Sequence, residues 1–317
     1  MIYNNGNKVI QLGGVNQAWD ASQMVYQYYK PSSGSPTPPT PVDWSSEYLT
    51  FEALESGTFK FSGNTVDYSL DDGATWISLA SNTDSPTLNA GDKIMFKATL
   101  SPTSSGIGRF LSTGTFDAMG NPYSLLYGDN FQNITDLTGN NYAFNHLFFQ
   151  SSGLTSAENM ALPATTLSQR AYTQMFHNCT SLTTAPSTLP ATTLASGCYE
   201  WMFNGCTSLI TVPSTLPATT LVSSCYNGMF LNCSSLETAP ELPAETLASN
   251  CYNQMFKGCS SLNYIKALFT TAPSGTAYTG GWVNGVASTG TFVKNPNASW
   301  SETGDNGIPA NWTVVDA

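Results

Sequence analysis

Apolar and polar positions repeat with one fixed spacing through the second half of the chain. A Leu-Pro-Ala-Thr/Glu-Thr-Leu block begins at Leu162, Leu189, Leu216 and Leu242, and Met-Phe begins at Met175, Met202, Met229 and Met255, with Leu147-Phe148 as a degenerate earlier copy. Both series have a period of 26 or 27 residues. Such self-similarity predicts about five repeats over residues 131–265, which must stack because one unit cannot bury its apolar side alone.

Each repeat is predicted to contain an extended segment, a turn, a second extended segment and a short helix. Leucines mark the extended segments on either side of proline-containing turns. Cys198, Met202 and Cys206 recur every four residues, as they would on one face of a helix.

Residues 43–128 follow another pattern, in which short aromatic or β-branched segments alternate with Gly, Asn and Asp. These segments cover residues 48–54, 58–62, 66–70, 75–79 and 93–100. The spacing predicts a small antiparallel β-sandwich. Before it, the Pro- and Ser-rich residues 31–42 predict a semi-rigid linker that separates off residues 1–30.

The charge and hydropathy of the chain bear on whether it binds nucleic acid or a membrane. The chain has 317 residues and a net charge of −11, with only ten Lys and Arg residues. Because these cations are scattered singly, we expect no nucleic-acid partner. No apolar run reaches the length of about 18 residues that a membrane span needs, so we expect no membrane insertion. Residues 1–30 also lack the basic and apolar regions typical of a secretory signal.

The seven cysteines obey the repeat period. One series is Cys179, Cys206, Cys233 and Cys259, and the other is Cys198, Cys225 and Cys251. Equivalent positions in neighbouring repeats lie about 5 Å apart, where a small apolar thiol packs well. We therefore predict two ladders of buried free thiols rather than disulfides or a metal site.

Few residue groups suggest catalysis. Residues 69–76 match the Asp-box pattern Ser-x-Asp-x-Gly-x-Thr-Trp, which is similar to turns of sialidases. A structural two-residue hairpin loop is the preferred explanation, with Asp71 as acceptor and Gly73 at positive φ. His146 and His177 are the only histidines, and His177 occupies a tolerant, exposed repeat position. We expect no catalytic site, no metal site and no cofactor.

Comparing the repeats with one another separates invariant from variable positions. The column Tyr172, Tyr199, Tyr226 and Tyr252 is invariant, which favours a framework role over a sugar-binding strip. The candidate ligand face consists of variable positions: Trp201, Glu200, Asn227, Asn253 and His177. Trp201 is the preferred anchor because exposed aromatic residues dominate recognition energies. Drift on a solvated face explains the variation equally well.

The block Met-Phe-x-x-Cys-x-Ser-Leu followed by a Leu-Pro segment resembles the BspA-like leucine-rich repeats of gut bacterial surface proteins and of their phages. Residues 282–286, 290–296 and 307–314 look like the C-terminal cap of that group. The resemblance covers about the last 185 residues. It implies a mainly β fold with short helices, a leucine-rich-repeat solenoid over 129–265, a cap over 266–317, and a binding role without a particular ligand.

We expect a phage virion structural protein, either a head or tail fibre or a decoration protein. It would be assembled in the host cytoplasm and displayed on the virion surface. Its repeats would bind a host-surface glycan or protein, and residues 1–30 would attach it to other virion proteins. The apolar residues available for attachment are Val9, Ile10, Leu12, Val15, Trp19 and Tyr26.

Two other functions stay open. One is a bacterial cell-surface adhesin of the same repeat family, and a more distant one is a glycan-active enzyme. A homotrimer is a further option, because Val15, Trp19, Ser22, Tyr26 and Tyr29 have a 4, 3, 4, 3 spacing that resembles a heptad seam.

Overall fold

The computed structural model describes residues 2–4, 7–12, 15–20, 23–28, 43–273 and 277–317. The chain divides into two compact units, residues 1–43 and 44–317. The first unit contains strands β1 (Ile2–Asn4), β2 (Asn7–Leu12), β3 (Val15–Asp20) and β4 (Gln23–Tyr28). They form one antiparallel sheet in sequence order. The predicted linker, residues 31–42, lies outside the described residues.

The heptad-like seam of the first unit is not helical. Val15 and Trp19 lie in β3 and Tyr26 lies in β4, while Ser22 and Tyr29 lie outside the described residues. Strands β1 to β4 of this predicted attachment segment form a four-stranded sheet. The attachment role of β2, β3 and β4 stays a prediction.

The second unit begins with eight short strands. They are β5 (Leu49–Ala53), β6 (Phe59–Ser62), β7 (Val66–Ser69), β8 (Ile77–Leu79), β9 (Lys93–Lys97), β10 (Arg109–Ser112), β11 (Phe116–Met119) and β12 (Leu154–Ser156). Six of them form a sheet in the order β12-β11-β5-β9-β7-β8, and β6 pairs with β10. Every pair is antiparallel except β11 with β12. A four-residue helix, α1 (Ser124–Tyr127), and a 3-10 turn (Gly128–Asn130) follow β11.

Phenylalanines from both sheets meet in one core. The ring of Phe51 on β5 lies 4.7 Å from Phe110 on β10 and 5.2 Å from Phe59 on β6, measured between centroids. All three side chains are buried. The five predicted extended segments coincide with β5 to β9, whereas β10 and β11 were not anticipated.

The segment predicted to be helical in each repeat is a run of tight turns. Backbone amides along this run alternate between two kinds of acceptor. One amide donates to the carbonyl three residues back, as in Met202 N to Tyr199 O at 3.2 Å. The next amide donates to a carbonyl of the following repeat, as in Phe203 N to Met229 O at 2.9 Å. In a helix every amide would donate within its own segment. The four-residue spacing was therefore correct, but the helix was wrong.

Left-handed backbone conformations explain the four-residue period. Positive φ recurs at every fourth residue, for example at Gly197, Trp201 and Gly205 with φ of 64°, 55° and 76°. The corresponding positions of other repeats often hold Asn or Gly, the residues that tolerate this conformation best. We call this run of turns the turn face.

Aromatic side chains stack in two buried columns between the repeats. The phenyl column is Phe148, Phe176, Phe203, Phe230 and Phe256, with centroids 5.2–5.8 Å apart. The tyrosine column is Tyr172, Tyr199, Tyr226 and Tyr252, with centroids 5.5–6.0 Å apart. The framework role predicted for the tyrosines is confirmed, because none is more than 1% exposed.

The predicted thiol ladders are confirmed, since all seven cysteines are free and buried. In one ladder each Sγ contacts a carbonyl of the preceding repeat, for example Cys206 Sγ to Phe176 O at 3.0 Å. Burial raises the pKa of Cys251 to about 11 and that of Cys198 to about 12. Reactive thiolate is therefore scarce at neutral pH.

Outside the turn face, the repeats join through parallel β-bridges. One column of bridges links Ser156, Thr184 and Thr211. A continuation links Thr238 to β13 (Tyr264–Ala267), β14 (Thr291–Lys294) and β15 (Thr313–Asp316), which form a parallel sheet. The predicted cap, 266–317, thus continues the same ladder.

The strands and the repeats share one core. Strand β11 pairs in parallel with β12 of the first repeat, and the ring of Phe148 lies 5.7 Å from that of Phe51. One cluster of buried residues runs from Leu49 to Trp312. The ranges 43–128, 129–265 and 266–317 therefore do not bury separate cores. The predicted mainly β character is confirmed, with several sheets and one short helix among the described residues.

Candidate functional site

The five predicted ligand-face residues lie on the turn face, but two of them belong to an internal network. Glu200 is only 6% exposed. Its Oε1 accepts a hydrogen bond from Asn227 Nδ2 at 2.8 Å, and Oε2 lies 3.0 Å from Arg170 Nη1. A buried carboxylate needs such partners because desolvation of the charge is costly. Glu200 was wrongly predicted as a solvated contact residue, and its side chain ties three successive repeats together.

Trp201 is half-buried rather than freely exposed. Its indole covers Gly228 of the next repeat, where an added Cβ would lie 2.3 Å from Trp201 Cδ1. The same large-over-small relation recurs where Asn178 covers Gly205 and Asn232 covers Gly258. At these positions a large side chain of one repeat therefore lies against a glycine of the next repeat. Asn253 is half-buried on the same face.

His177 lies in an aromatic and cationic cluster at the start of the repeats. Its ring stacks on Phe149 at 5.0 Å and 13°, and His146 meets the same ring edge-on at 4.9 Å and 87°. The guanidinium carbon of Arg109 lies 6.0 Å from the Phe149 centroid. His177 Nδ1 is buried without a hydrogen-bond partner. The predicted exposed and tolerant position is therefore wrong for this repeat.

The cluster adjoins a cleft of about 590 Å³, lined by Ser62, Gly63, Asn64, Thr103, Ser105, Gly106, Ile107, Gly108, Arg109, His146 and Phe149. We call it the Arg109 cleft. Close backbone contacts fix its walls, since a Cβ on Gly106 would lie 2.2 Å from Asn145 O and one on Gly108 would lie 2.3 Å from Ser62 O. Asn64 Nδ2 also donates to Ile107 O at 2.8 Å. The cleft is therefore preformed.

Both histidines are held neutral. Burial lowers the pKa of His146, and the positive charge of Arg109 adds to this, although a hydrogen bond with Gln174 opposes it. Burial, with a smaller contribution from His146, lowers the pKa of His177. Arg109 is therefore the only permanently charged side chain of this cluster.

We expect the protein to lose stability as the pH falls from about 7.5 to about 5.5. With lowered native pKa values, the histidines bind fewer protons in the folded than in the unfolded state, so the free energy of unfolding decreases below a pH of about 6.5. Thermal unfolding of the double variant His146→Gln, His177→Gln should show a smaller decrease than the parent. Equal decreases in both proteins would contradict this prediction.

A second hollow, of about 430 Å³, lies on the bridge side of the repeats and includes Ile210, Glu241, Tyr264 and Lys266. Lys266 Nζ pairs with Glu241 Oε1 at 3.0 Å, which neutralises the charged groups there. Ile210 is 59% exposed. This hollow therefore offers a surface of mixed polarity whose two charged side chains pair with each other.

The Asp-box segment is an internally bonded loop between β7 and β8. Asp71 accepts from Thr75 N at 2.8 Å, Thr75 Oγ1 at 2.7 Å and Ser69 Oγ at 2.7 Å, and these bonds lower its pKa. Gly73 has φ of 83°. The predicted roles of Asp71 and Gly73 are confirmed, but the loop is longer than two residues because the last strand pair is Tyr68 with Ile77.

No group of three or more His, Cys, Asp or Glu side chains in the described part of the chain is placed to hold a metal ion. No helix in those same residues is long and apolar enough to cross a bilayer.

No protein-family model matches this chain, and no curated protein or solved structure does so either.

Proposed function

We propose that the protein is a phage virion structural protein, a head or tail fibre or a decoration protein, that displays a repeat module for host-surface binding. In this proposal residues 129–265 are a leucine-rich-repeat solenoid of the BspA-like kind, capped by 266–317, and residues 43–128 are a β-sandwich. The virion surface is its location, after assembly in the host cytoplasm.

The observation that carries the proposal is the continuous stack of equivalent repeats. The phenyl column runs unbroken from Phe148 to Phe256, and amides of each turn face bond to the next repeat. Such a one-dimensional stack holds an extended surface rigidly, which suits display and binding. Side chains on the turn face differ between repeats while the buried columns are constant.

The lining of the Arg109 cleft also favours binding over hydrolysis. Among the described residues, no Asp or Glu lines the Arg109 cleft. Glycoside hydrolysis ordinarily requires two carboxyl groups on either side of the scissile bond. The glycan-active enzyme is therefore the weaker proposal.

Attachment and recognition should be separable along the chain. Because residues 44–317 form a compact unit of their own, deleting residues 1–30 should leave a folded protein that binds host cells but no longer enters virions. Mass spectrometry of purified virions and cell-binding assays measure the two effects. A truncated protein that still enters virions would overturn the attachment role.

The matched control is a variant that should affect cell binding but not entry into virions. Trp201→Gln places on the turn face the residue found at the equivalent positions Gln174 and Gln254, whose φ values of 53° and 54° match that of Trp201 at 55°. This variant should enter virions normally and bind host cells less well. Unchanged cell binding would remove Trp201 from the recognition surface.

A further inference from the structure

The Arg109 cleft contains a cation that has no carboxylate partner among the described residues. The ion pairs in that part of the chain use Lys60, Lys93, Lys97, Arg170 and Lys266. The guanidinium carbon of Arg109 lies 6.0 Å from the centroid of the Phe149 ring. In a chain with a net charge of −11 and ten basic residues, an unpaired guanidinium in a cleft provides a local site for an anion.

The neighbours of Arg109 hold it in place. Arg109 begins β10, where it pairs in register with Ser62 of β6, and the next amide, Phe110 N, donates to Leu147 O of the first repeat at 2.8 Å. Phe149 is itself fixed between His177 and His146. A guanidinium and an aromatic ring are therefore preorganised side by side, which reduces the entropy lost on binding.

The rest of the lining is uncharged and mixed in polarity. Ser62 and Ser105 contribute hydroxyl groups, and Ile107 and Phe149 contribute apolar surface. The volume of about 590 Å³ is in the range of small-molecule sites. A ligand for this cleft should therefore carry one anionic group, several hydroxyl groups and an apolar face.

We propose that the Arg109 cleft binds a carboxylate-bearing saccharide. The planar guanidinium of Arg109 matches a carboxylate with two parallel hydrogen bonds. The part of the Phe149 ring that lines the cleft contacts C–H groups of the sugar, and the serine hydroxyls hydrogen-bond its hydroxyl groups. A polyanion is disfavoured because the cleft has one permanent positive charge and the protein is strongly negative. This inference does not depend on the virion assignment, since the cleft belongs to the chain itself.

Saturation-transfer NMR and calorimetric titration of the full chain test the proposal. The probes are glucuronate, galacturonate and N-acetylneuraminate, with glucose and galactose as neutral counterparts of the uronates. At least one acidic sugar should bind, and a uronate that binds should do so about tenfold or more tightly than its neutral counterpart. Binding by none of the acidic sugars, or equal binding of a uronate and its neutral counterpart, would overturn the proposal.

Variants locate the binding in the cleft. Arg109→Gln should weaken the acidic sugar about tenfold or more. Lys257→Gln, which removes the same charge from the turn face, should leave the affinity unchanged, and near-ultraviolet circular dichroism checks that both variants are folded. Equal affinities of the Arg109→Gln variant and the parent would place the binding elsewhere. Displacement by equimolar inorganic phosphate would show a general anion site and would also reject a saccharide site.

Discussion

Replacing Phe203 by alanine should lower the free energy of unfolding by about 3–5 kcal/mol. The Phe203 side chain is completely buried. Its ring lies 5.2 Å from that of Phe176 and 5.5 Å from that of Phe230, with both pairs nearly parallel. Truncation leaves a cavity bounded by two other repeats, and the fixed spacing between repeats prevents its collapse. Urea denaturation of the variant and the parent measures the difference.

Ile210→Ala is the matched control for this truncation. Ile210 belongs to the same repeat but is 59% exposed, so its loss should change the free energy of unfolding by about 0.5 kcal/mol or less. Hydrogen exchange should show the Phe203→Ala defect locally, at the amides of Phe176 and Phe203 that join neighbouring repeats. A Phe203→Ala variant no less stable than Ile210→Ala would refute the stacked core.

The sequence period was sufficient to predict the buried columns. Residues one period apart, such as Tyr199 and Tyr226 or Cys206 and Cys233, are neighbours because each repeat has the same backbone path. The conformation between those positions was not predictable from apolar spacing alone. A helix and a run of four-residue turns both bring every fourth residue to one side. The sequence signal for turns was the recurrence of Asn or Gly at one repeat position, namely at Asn178, Gly205, Asn232 and Gly258.

The Arg109 cleft was missed for a different reason. Arg109 and His146 are 37 positions apart in different sequence patterns, and they meet where Phe110 N of β10 donates to Leu147 O of the first repeat. His177 was interpreted by comparison with Asn204, Leu231 and Lys257, which do not line the Arg109 cleft. Likewise, the burial of Glu200 depends on Arg170, which reaches across from the preceding repeat.

Replacing Gly120 by alanine should destabilise the junction between the strands and the repeats by about 3–5 kcal/mol. Gly120 follows β11 and has φ of 76°. A Cβ there would lie 1.9 Å from Tyr48 O. Its amide donates to Asn159 O at 3.0 Å, and its carbonyl accepts from Ala161 N at 2.9 Å. The residue is therefore held from both sides and has no direction in which to relieve the clash.

Gly139→Ala is the control that separates the steric clash with Tyr48 from the free-energy cost of placing alanine at positive φ. Gly139 has φ of 87°, and a Cβ there would have nothing within 4 Å, so this variant should lose only about 1–2 kcal/mol from its left-handed conformation. Thermal and urea unfolding of both variants give the comparison, and hydrogen exchange should place the additional loss of protection in Gly120→Ala at Ala161 and Phe116, whose amides bond across the junction. These hydrogen bonds connect the six-stranded sheet to the first repeat, so their loss should uncouple the sheet from the repeats. The amides of the repeats beyond Phe176 should keep their protection. Equal losses of stability in the two variants would mean that the backbone at Tyr48 moves away from the added Cβ at no cost in free energy. The junction would then not be the rigid connection that the close approach at Gly120 implies.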